Sequence, residues 1–410
     1  MIHFRDYQED IIQKATGVLK QYGFVYLSME VRTGKTLTSL GTLDLMSVNK
    51  VLFITKKKAI GSIIVDYKLL RPNFDLEVIN YESLHKVKQR GWDAIVCDEA
   101  HTLGAFPKPN KRAKQVKSLL LNNSCLVMLL SGTPTPESFS QMYHQVYGLL
   151  MNPFREHNTF YKFAREYINV KQKKINGFLI NDYSRAKSTV LDAMKPFMIS
   201  YTQKEAGFES TIKEMVLIVE APQSIYSMCD KLKRDLVIEG DNEVILADTS
   251  VKLMQKLHQM YSGTVKFEGG NSMVLDTFKA EYIQEYFKDQ KIAIFYKFKE
   301  EYNALKLVYG DKLCNTLEEF CNSDKNIALQ IISGREGISL KDAQSLVYYN
   351  IDFSATSYWQ SRDRMTTKER LHNQIYWVFT DKGIEPKIYR AVTKKKDYTL
   401  SHFKKDLLSV

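Results

Sequence analysis

Gly34, Lys35 and Thr36 form a triplet that is typical of a phosphate-binding loop. Such a loop follows a strand and opens a helix, so that backbone N–H groups and the positive end of the helix dipole face the anion. The Lys35 ammonium group can reach the β and γ phosphates, and the Thr36 hydroxyl can ligate Mg²⁺. Met29 stands where the usual pattern has its first glycine. The triplet alone therefore leaves open an ordinary turn between a strand and a helix.

A second stretch, Asp98-Glu99-Ala100-His101, follows the apolar run "WDAIVC". Hydrolysis of a phosphoanhydride needs one carboxylate for the Mg²⁺ shell and a second group that orients or deprotonates the attacking water. Two adjacent acids at the carboxyl end of a strand can supply both roles, although acids at such positions are otherwise part of a solvated turn or a helix cap. The order of the stretches, loop first and acids later, favours a Mg²⁺-dependent site that hydrolyses a phosphoanhydride.

Alternating apolar runs and amphipathic stretches must position these residues. Over residues 1–150 the runs "FVYLSM", "KVLFITK", "LEVIN", "WDAIVCDEA" and "CLVMLLSGT" predict strands, and stretches such as "RAKQVKSLLL" predict helices between them. Residues 151–210 are polar and aromatic and predict a helical insertion or linker. The sheet rhythm returns within 211–410, which also contains a predicted helical segment, 222–262. The sequence therefore predicts an α/β fold with two lobes built on parallel sheets and helical insertions between them.

The charge balance favours a polyanionic partner. Lysine and arginine number 58 against 47 acidic residues, which gives a net charge of +11, and basic side chains gain affinity for nucleic acid by displacing counterions from phosphates. The five cysteines show no paired close spacing, which argues against a disulfide framework and a structural zinc site. No signal peptide and no apolar run of the ~20 residues that a membrane span needs is recognised, so a cytoplasmic protein is expected.

The ordered pair of motifs resembles the superfamily 2 helicases and translocases, in which Asp-Glu-Ala-His is a named motif. "MEVRTGKT" is similar to the phosphate loop of the short phage and bacterial members of the Swi/Snf-like branch, which lacks the first glycine. The resemblance implies two RecA-like lobes that use ATP and Mg²⁺. Within it, Arg32, Thr33 and Gly34 line the nucleotide together with Lys35 and Thr36, Asp98 ligates Mg²⁺, and Glu99 activates water. His101 relays the state of the site to Ser131 and Thr133 of "LLSGTP".

Other segments extend the resemblance over most of the chain. "FRDYQEDII" resembles the adenine-recognition motif, with Gln8 reading the base edge. "VLFITKKKAI" and "INYESL" resemble motifs that touch the nucleic-acid backbone, and the second lobe has comparable segments. The residues that the resemblance assigns to nucleic-acid contact are Thr55, Lys56, Lys57, Asn80, Tyr81, Lys297, Ser333 and Arg335.

Motifs five and six of the family have counterparts in the second lobe. "SGREGISLKDAQSLVYYN" places Gly337 near the nucleotide, and "YWQSRDRMTTKER" supplies Gln360 and Arg364. Arg364 is the leading candidate for an arginine finger, with Arg370 and Arg362 behind it, because Thr367 stands where a second arginine normally follows. In "MKPFMISYTQKEA" the paired arginines usual in the family are replaced by Ser200 and Tyr201.

The resemblance implies a monomeric, ATP-dependent DNA translocase or helicase that contacts mainly phosphates and acts in phage or bacterial replication or recombination. Its expected place is the cytoplasm of a bacterial cell or phage-infected host. An RNA helicase, the motor subunit of a restriction or defence complex, and a nucleic-acid-binding module without catalysis remain alternatives.

Overall fold

The computed structural model describes residues 3–175, 178–207, 211–240, 243–334, 338–365 and 372–394. The chain divides into two compact units, residues 1–208 and 209–410. Each unit is built around one six-stranded sheet in which every neighbouring pair is parallel. The predicted α/β fold class with parallel sheets is therefore confirmed. No helix among the described residues is both long and apolar enough to span a membrane.

The sheet of the first unit has the strand order β3-β2-β4-β5-β1-β8. Its strands coincide with the apolar runs read from the sequence, because a parallel strand that is covered on both faces is apolar along its whole length. Phe24 and Tyr26 of β1 pack into one core, and Val25 and Leu27 pack into the other. The strands of this unit, including a separate hairpin of two, are β1 Phe24–Met29, β2 Lys50–Thr55, β3 Asp75–Asn80, β4 Ala94–Cys97, β5 Leu126–Leu130, β6 Lys171–Ile175, β7 Phe178–Asp182 and β8 Met198–Tyr201.

The helices of the first unit connect the parallel strands and cover the sheet. The predicted helix "RAKQVKSLLL" forms α4, which Asn110 caps by accepting a hydrogen bond of 2.8 Å from the Ala113 N–H. The helices are α1 Asp6–Tyr22, α2 Lys35–Leu45, α3 Ile60–Leu70, α4 Lys111–Leu121, α5 Met142–Val146, α6 Phe160–Tyr167 and α7 Thr189–Met194, with 3₁₀ turns at Lys57–Ala59, Tyr81–Lys86, Ala100–Leu103, Phe139–Gln141 and Lys195–Phe197.

The segment predicted to be a helical insertion, residues 151–210, is only partly helical. It contains α6 and α7, but also the hairpin β6-β7 and the edge strand β8. The buried side chains of Phe160, Phe163, Val190 and Phe197 pack into the same core as β1 and β4. The phenylalanines of this segment that the core contains therefore belong to the first unit.

The sheet of the second unit has the strand order β15-β16-β14-β17-β18-β9. Its longest pairing joins β9 and β18 over nine residues each. Two small antiparallel pairs, β10-β11 and β12-β13, lie outside this sheet. The strands are β9 Thr211–Val219, β10 Val237–Glu239, β11 Val244–Leu246, β12 Thr264–Lys266, β13 Ser272–Val274, β14 Ile292–Tyr296, β15 Leu313–Cys314, β16 Asn326–Gln330, β17 Ser345–Tyr348 and β18 His372–Thr380.

The predicted helical segment 222–262 contains two helices, but the pair β10-β11 separates them. The amphipathic faces of both helices enter one core through Ile225, Cys229, Leu253 and Leu257. The helices of the second unit are α8 Gln223–Asp235, α9 Ser250–Met260, α10 Phe278–Tyr286, α11 Lys299–Tyr309, α12 Leu317–Cys321, α13 Ile331–Gly334, α14 Ala355–Arg362 and α15 Glu385–Val392, with 3₁₀ turns at Gly310–Lys312 and Asp363–Met365.

Candidate nucleotide site

The candidate site lies at the carboxyl edge of the first sheet. The phosphate loop follows β1, the Asp98-Glu99 pair follows β4, and Ser131 follows β5. Since β5 lies between β1 and β4 in the sheet, the loops after these three strands are neighbours. The carboxyl edge of an open parallel sheet is where α/β proteins bind their ligands.

The phosphate loop depends on a glycine at position 34. Gly34 has a φ of 82°, in the left-handed region, and precedes the first residue of α2. A Cβ at this position would lie 2.3 Å from Nε2 of Gln8. Arg32 also has a positive φ, 65°, which is uncommon for a residue other than glycine. The backbone conformation therefore favours the predicted glycine, and a larger residue would also displace the Gln8 side chain.

Lys35 points back into the loop that precedes it. Its Nζ donates hydrogen bonds of 2.8 Å to the Met29 carbonyl and 3.1 Å to the Glu30 carbonyl. Met29 has no exposed surface and packs in the core, so this position supplies a carbonyl to Lys35 while its side chain anchors the end of β1. Lys35 is thus held inside the loop by backbone carbonyls, which do not require glycine at position 29.

The first turn of α2 fits a phosphate group. The helix has no side-chain cap at Gly34 and no acidic residue in its first turn. Backbone N–H groups at a helix start lack partners inside the helix and attract anions, and the helix dipole adds to this attraction. Together with the Lys35 ammonium group, this end of α2 matches the β and γ phosphates of a nucleotide.

Asp98 is held by two side chains from neighbouring elements. The Thr55 hydroxyl at the end of β2 donates a hydrogen bond of 2.7 Å to Oδ2 of Asp98, and the Tyr81 hydroxyl donates one of 2.6 Å to its backbone carbonyl. Burial, followed by the negative charge of Glu99, raises the pKa of Asp98 to about 6. Two adjacent carboxylates in a partly buried place are stabilised by a divalent cation, so the pair fits Mg²⁺.

The His101 ring lies in contact with both Glu99 and Ser131. Glu99 adopts a left-handed φ of 50°, a conformation that is strained for a glutamate and frequent at functional sites. Nδ1 of His101 lies 3.2 Å from Oε2 of Glu99 and 2.9 Å from the Ser131 hydroxyl. The Thr133 N–H in turn donates a hydrogen bond of 3.1 Å to the Ser131 hydroxyl. The second acid is thereby linked through His101 to the segment after β5.

Gln8 lies against the phosphate loop. Its Nε2 is 3.4 Å from the Gly34 carbonyl and 3.5 Å from the Thr38 hydroxyl. The neighbouring Tyr7 donates a hydrogen bond of 3.2 Å to the Thr33 carbonyl and stacks on Tyr201, with ring centroids 4.7 Å apart. The start of α1 thus carries the predicted glutamine and an aromatic ring next to the loop.

Gln203 is a loop contact that sequence reasoning missed. Its backbone N–H donates a hydrogen bond of 2.7 Å to Oε2 of Glu30, and its Nε2 donates one of 3.0 Å to the Val31 carbonyl. The Glu30 N–H donates to the Tyr201 carbonyl at 2.9 Å. The only indication of this contact in the sequence is that the nearby Ser200 and Tyr201 replace the paired arginines of the family pattern.

The residues of the first unit predicted to contact nucleic acid fall into two groups. Lys57 is exposed and Lys56 is partly exposed, just after β2, and Asn80 bonds to the Glu82 carboxylate at 3.0 Å. Thr55 and Tyr81 are buried, at 0% and 1% exposure. Their hydroxyl groups face Asp98, so in this conformation they position an acid of the site and present no surface to a polymer.

The second unit holds the remaining predicted residues. The Lys297 ammonium group lies 2.7 Å from Oδ1 of Asp352 and 3.8 Å from the centre of the Phe353 ring. Arg364 is buried, at 7% exposure, and Arg362 pairs with Glu214 at 3.1 Å. Gln360 lies on α14 and Ser333 on α13. Their side chains, and the whole of Arg335, Gly337, Thr367 and Arg370, lie outside the described residues.

Part of the chain matches a known family model, and two solved structures are similar to the chain. Residues 30–226 match the model of the SNF2-related domain, which supports the Swi/Snf-like resemblance of the motifs. No curated protein sequence matches the chain. The chain is similar to the Sulfolobus solfataricus SWI2/SNF2 ATPase core in complex with dsDNA, with 14% identity, a TM-score of 0.44 and coverage of 96% of this chain and 91% of that one. It is also similar to the Sulfolobus solfataricus SWI2/SNF2 ATPase core domain, with 15% identity, a TM-score of 0.43 and coverage of 96% and 89%.

Proposed function

We propose that this chain is a superfamily 2 ATPase of the Swi/Snf-like branch that hydrolyses ATP to move on, or remodel, duplex or branched DNA in phage or bacterial replication or recombination. The observation that carries this proposal is the arrangement of Lys35 at the start of α2, the Asp98-Glu99 pair, and the contacts of His101 with Glu99 and Ser131. These groups lie at one edge of one sheet. The SNF2-related match over residues 30–226 includes all of them.

Different residues of the first unit would bind the phosphates, the Mg²⁺ ion and the adenine ring. Lys35 and the N–H groups of the first turn of α2 would hold the β and γ phosphates, and Thr36 and Asp98 would hold Mg²⁺. Gln8 and Tyr7 lie beside the loop, where an adenine ring would be recognised by its edge and its face. ATP supplies the phosphoryl group that is transferred, and Mg²⁺ neutralises charge on its oxygens.

Glu99 would orient the attacking water and accept its proton. The His101 ring, held by its Nδ1 contacts to Glu99 and Ser131, fixes the direction of the Glu99 carboxylate and links it to Thr133. A change in the position of the Glu99 carboxylate would therefore alter the hydrogen bonds of the segment after β5. Arg364, with Arg370 and Arg362 as alternatives, would stabilise the charge that develops on the phosphoryl group.

DNA is the proposed polymer because of the Swi/Snf-like family match and the net charge of +11. Contacts would be made mainly to phosphates by side chains such as Lys56 and Lys57. Binding should consequently show little sequence preference and should weaken steeply as salt is raised.

The test is Mg²⁺-dependent ATP hydrolysis at low salt with no polymer, duplex DNA, single-stranded DNA or RNA. The Glu99→Gln variant is the blank, and Glu77→Gln, which changes an exposed acid of β3, is the matched control. Stimulation by duplex DNA that Glu99→Gln loses and Glu77→Gln keeps is the expected result. Stimulation by RNA alone would replace DNA by RNA as the substrate. If no polymer stimulates hydrolysis unless a co-purified protein is added, the motor of a larger complex becomes the better reading.

A further inference from the structure

The hairpin β6-β7 stands apart from the sheet of the first unit. Its strands pair with each other in antiparallel register, with Lys171 opposite Asp182 and Lys174 opposite Leu179, and within the described residues neither strand joins another. A two-stranded hairpin alone is only marginally stable in water. The hairpin must therefore be stabilised by contacts at its base or by a binding partner.

Both faces of the hairpin carry apolar side chains into solvent. Leu179 is 67% exposed and Ile180 is 48% exposed, and as consecutive strand residues they point to opposite faces. Lys171 and Lys174 are exposed on the neighbouring strand. Leu179 and Ile180 would not both be exposed if one face of the hairpin packed on the core. These aliphatic side chains and the two lysines are therefore accessible to a binding partner.

The region around the hairpin is strongly basic. Seven of the residues from Lys162 to Lys187 are lysine or arginine, and only Glu166 and Asp182 are acidic. The Glu166 carboxylate pairs with His157 at 2.8 Å, and Asp182 accepts a hydrogen bond from the Ser184 N–H at 3.0 Å. The excess of positive charge in this short segment is a large part of that of the whole chain.

The base of the hairpin is tied to the carboxyl edge of the sheet, where the nucleotide site lies. The Ser140 hydroxyl donates a hydrogen bond of 2.5 Å to the Tyr183 carbonyl just after β7. The neighbouring Gln141 approaches Gly104 so closely that a Cβ on this glycine would lie 2.8 Å from Cβ of Gln141. Gly104 directly follows the 3₁₀ turn Ala100–Leu103 that contains His101. The hairpin therefore projects from the segments that follow β4 and β5.

We infer that the hairpin β6-β7 is a DNA-binding arm of the first unit, a reading that rests on the proposed function. Lys171 and Lys174 point to opposite faces of the hairpin, so the arm lies in a groove of the DNA and their exposed amino groups contact phosphates on its two sides. Leu179 and Ile180 contact sugars and base edges in the groove. The phosphates of DNA neutralise the excess positive charge of the hairpin region, and its sugars and bases offer apolar surface to the aliphatic side chains. DNA therefore accounts for both features of the hairpin.

The experiment measures equilibrium binding of the full chain to labelled duplex and single-stranded DNA over a series of salt concentrations. The variant is Lys171→Ala/Lys174→Ala, and the matched control is Lys20→Ala/Lys114→Ala, which removes two exposed lysines of α1 and α4. Loss of two phosphate contacts should lower the slope of log affinity against log salt by about 2 and weaken binding on the order of tenfold at low salt. The control should keep the wild-type slope.

Two further variants separate a binding role from a structural one. Lys171→Arg/Lys174→Arg keeps the charge and should keep the wild-type slope, whereas Leu179→Ser/Ile180→Ser should weaken binding without changing the slope. Wild-type affinity and slope in the alanine variant would overturn the inference while leaving the proposed function intact. A wild-type chain that binds no DNA would overturn both.

Discussion

The backbone N–H of Gln203 donates a hydrogen bond of 2.7 Å to the carboxylate of Glu30, the first residue after β1. The Gln203 side chain adds a second bond, of 3.0 Å, to the Val31 carbonyl. The phosphate loop is therefore held from outside by the segment that follows β8. The first unit ends at residue 208. The loop is therefore hydrogen-bonded to the part of the chain that leads to the second unit.

Gln203→Ala removes the bond to the Val31 carbonyl and leaves the backbone bond to Glu30. Because one hydrogen bond contributes about 1 kcal/mol, we expect the KM for ATP to rise about fivefold, with a smaller effect on kcat. Steady-state ATPase assays measure this directly. Gln21→Ala, at an exposed position near the end of α1, is the control. An unchanged KM for the Gln203 variant would show that the loop keeps its shape without this contact.

His101 and Ser131 should act as one unit. His101→Ala and Ser131→Ala each break the 2.9 Å contact between Nδ1 and the hydroxyl, so the double variant should lose no more kcat than the worse of the two single variants. His85, which is exposed, supplies the comparison, since His85→Ala combined with Ser131→Ala should give additive effects. If the losses of kcat in His101→Ala and Ser131→Ala were fully additive, the two residues would not act as one unit.

The raised pKa of Asp98 predicts a pH dependence of Mg²⁺ binding. Since Mg²⁺ needs the ionised carboxylate, Mg²⁺-dependent nucleotide affinity should fall as pH is lowered through about 6. Between the ordinary value of 3.8 and about 6 the folded protein binds a proton that the unfolded chain does not, so stability from this group decreases as pH rises across that interval.

The Glu99→Gln variant tests the cause of this shift. Removal of the neighbouring negative charge should lower the pKa of Asp98, and the fall in nucleotide affinity should move to lower pH. Binding of a fluorescent ATP analogue, with and without Mg²⁺, gives both curves. Identical midpoints in the two proteins would assign the shift to burial alone.

Arg364 and Arg362 should differ in what their removal does. Arg364→Ala should retain ATP binding and lose DNA-stimulated hydrolysis by ~1,000-fold if it acts as the arginine finger. Arg362 instead pairs with Glu214, which also accepts hydrogen bonds from Trp377, Tyr358 and Tyr389. Arg362→Ala should therefore cost about 1–3 kcal/mol of stability, seen in thermal unfolding. Unchanged hydrolysis in Arg364→Ala would remove it from the catalytic role.

Most strands could be predicted from the sequence, and the hairpin β6-β7 could not. Strands buried on both faces leave continuous apolar runs such as "AIVC" of β4, and these runs identify them without tertiary information. In the strands β6 and β7 most of the side chains that the structure describes are exposed, and no continuous apolar run marks these strands. The aromatic residues Phe160 and Phe163, which precede the hairpin, lie on the helix α6 and pack into the core of the first unit.

The sequence by itself determined which groups can do chemistry, namely the lysine and threonine after the loop glycine and the two acids after an apolar strand, because these depend on residue type and local order. Only the tertiary structure decided that Thr55 and Tyr81 turn toward Asp98, and that Gln203 closes on Glu30. The direction of a side chain and its contact with a distant residue depend on how elements pack. No local pattern records that packing, so the residues that position the site appear only when the chain has folded.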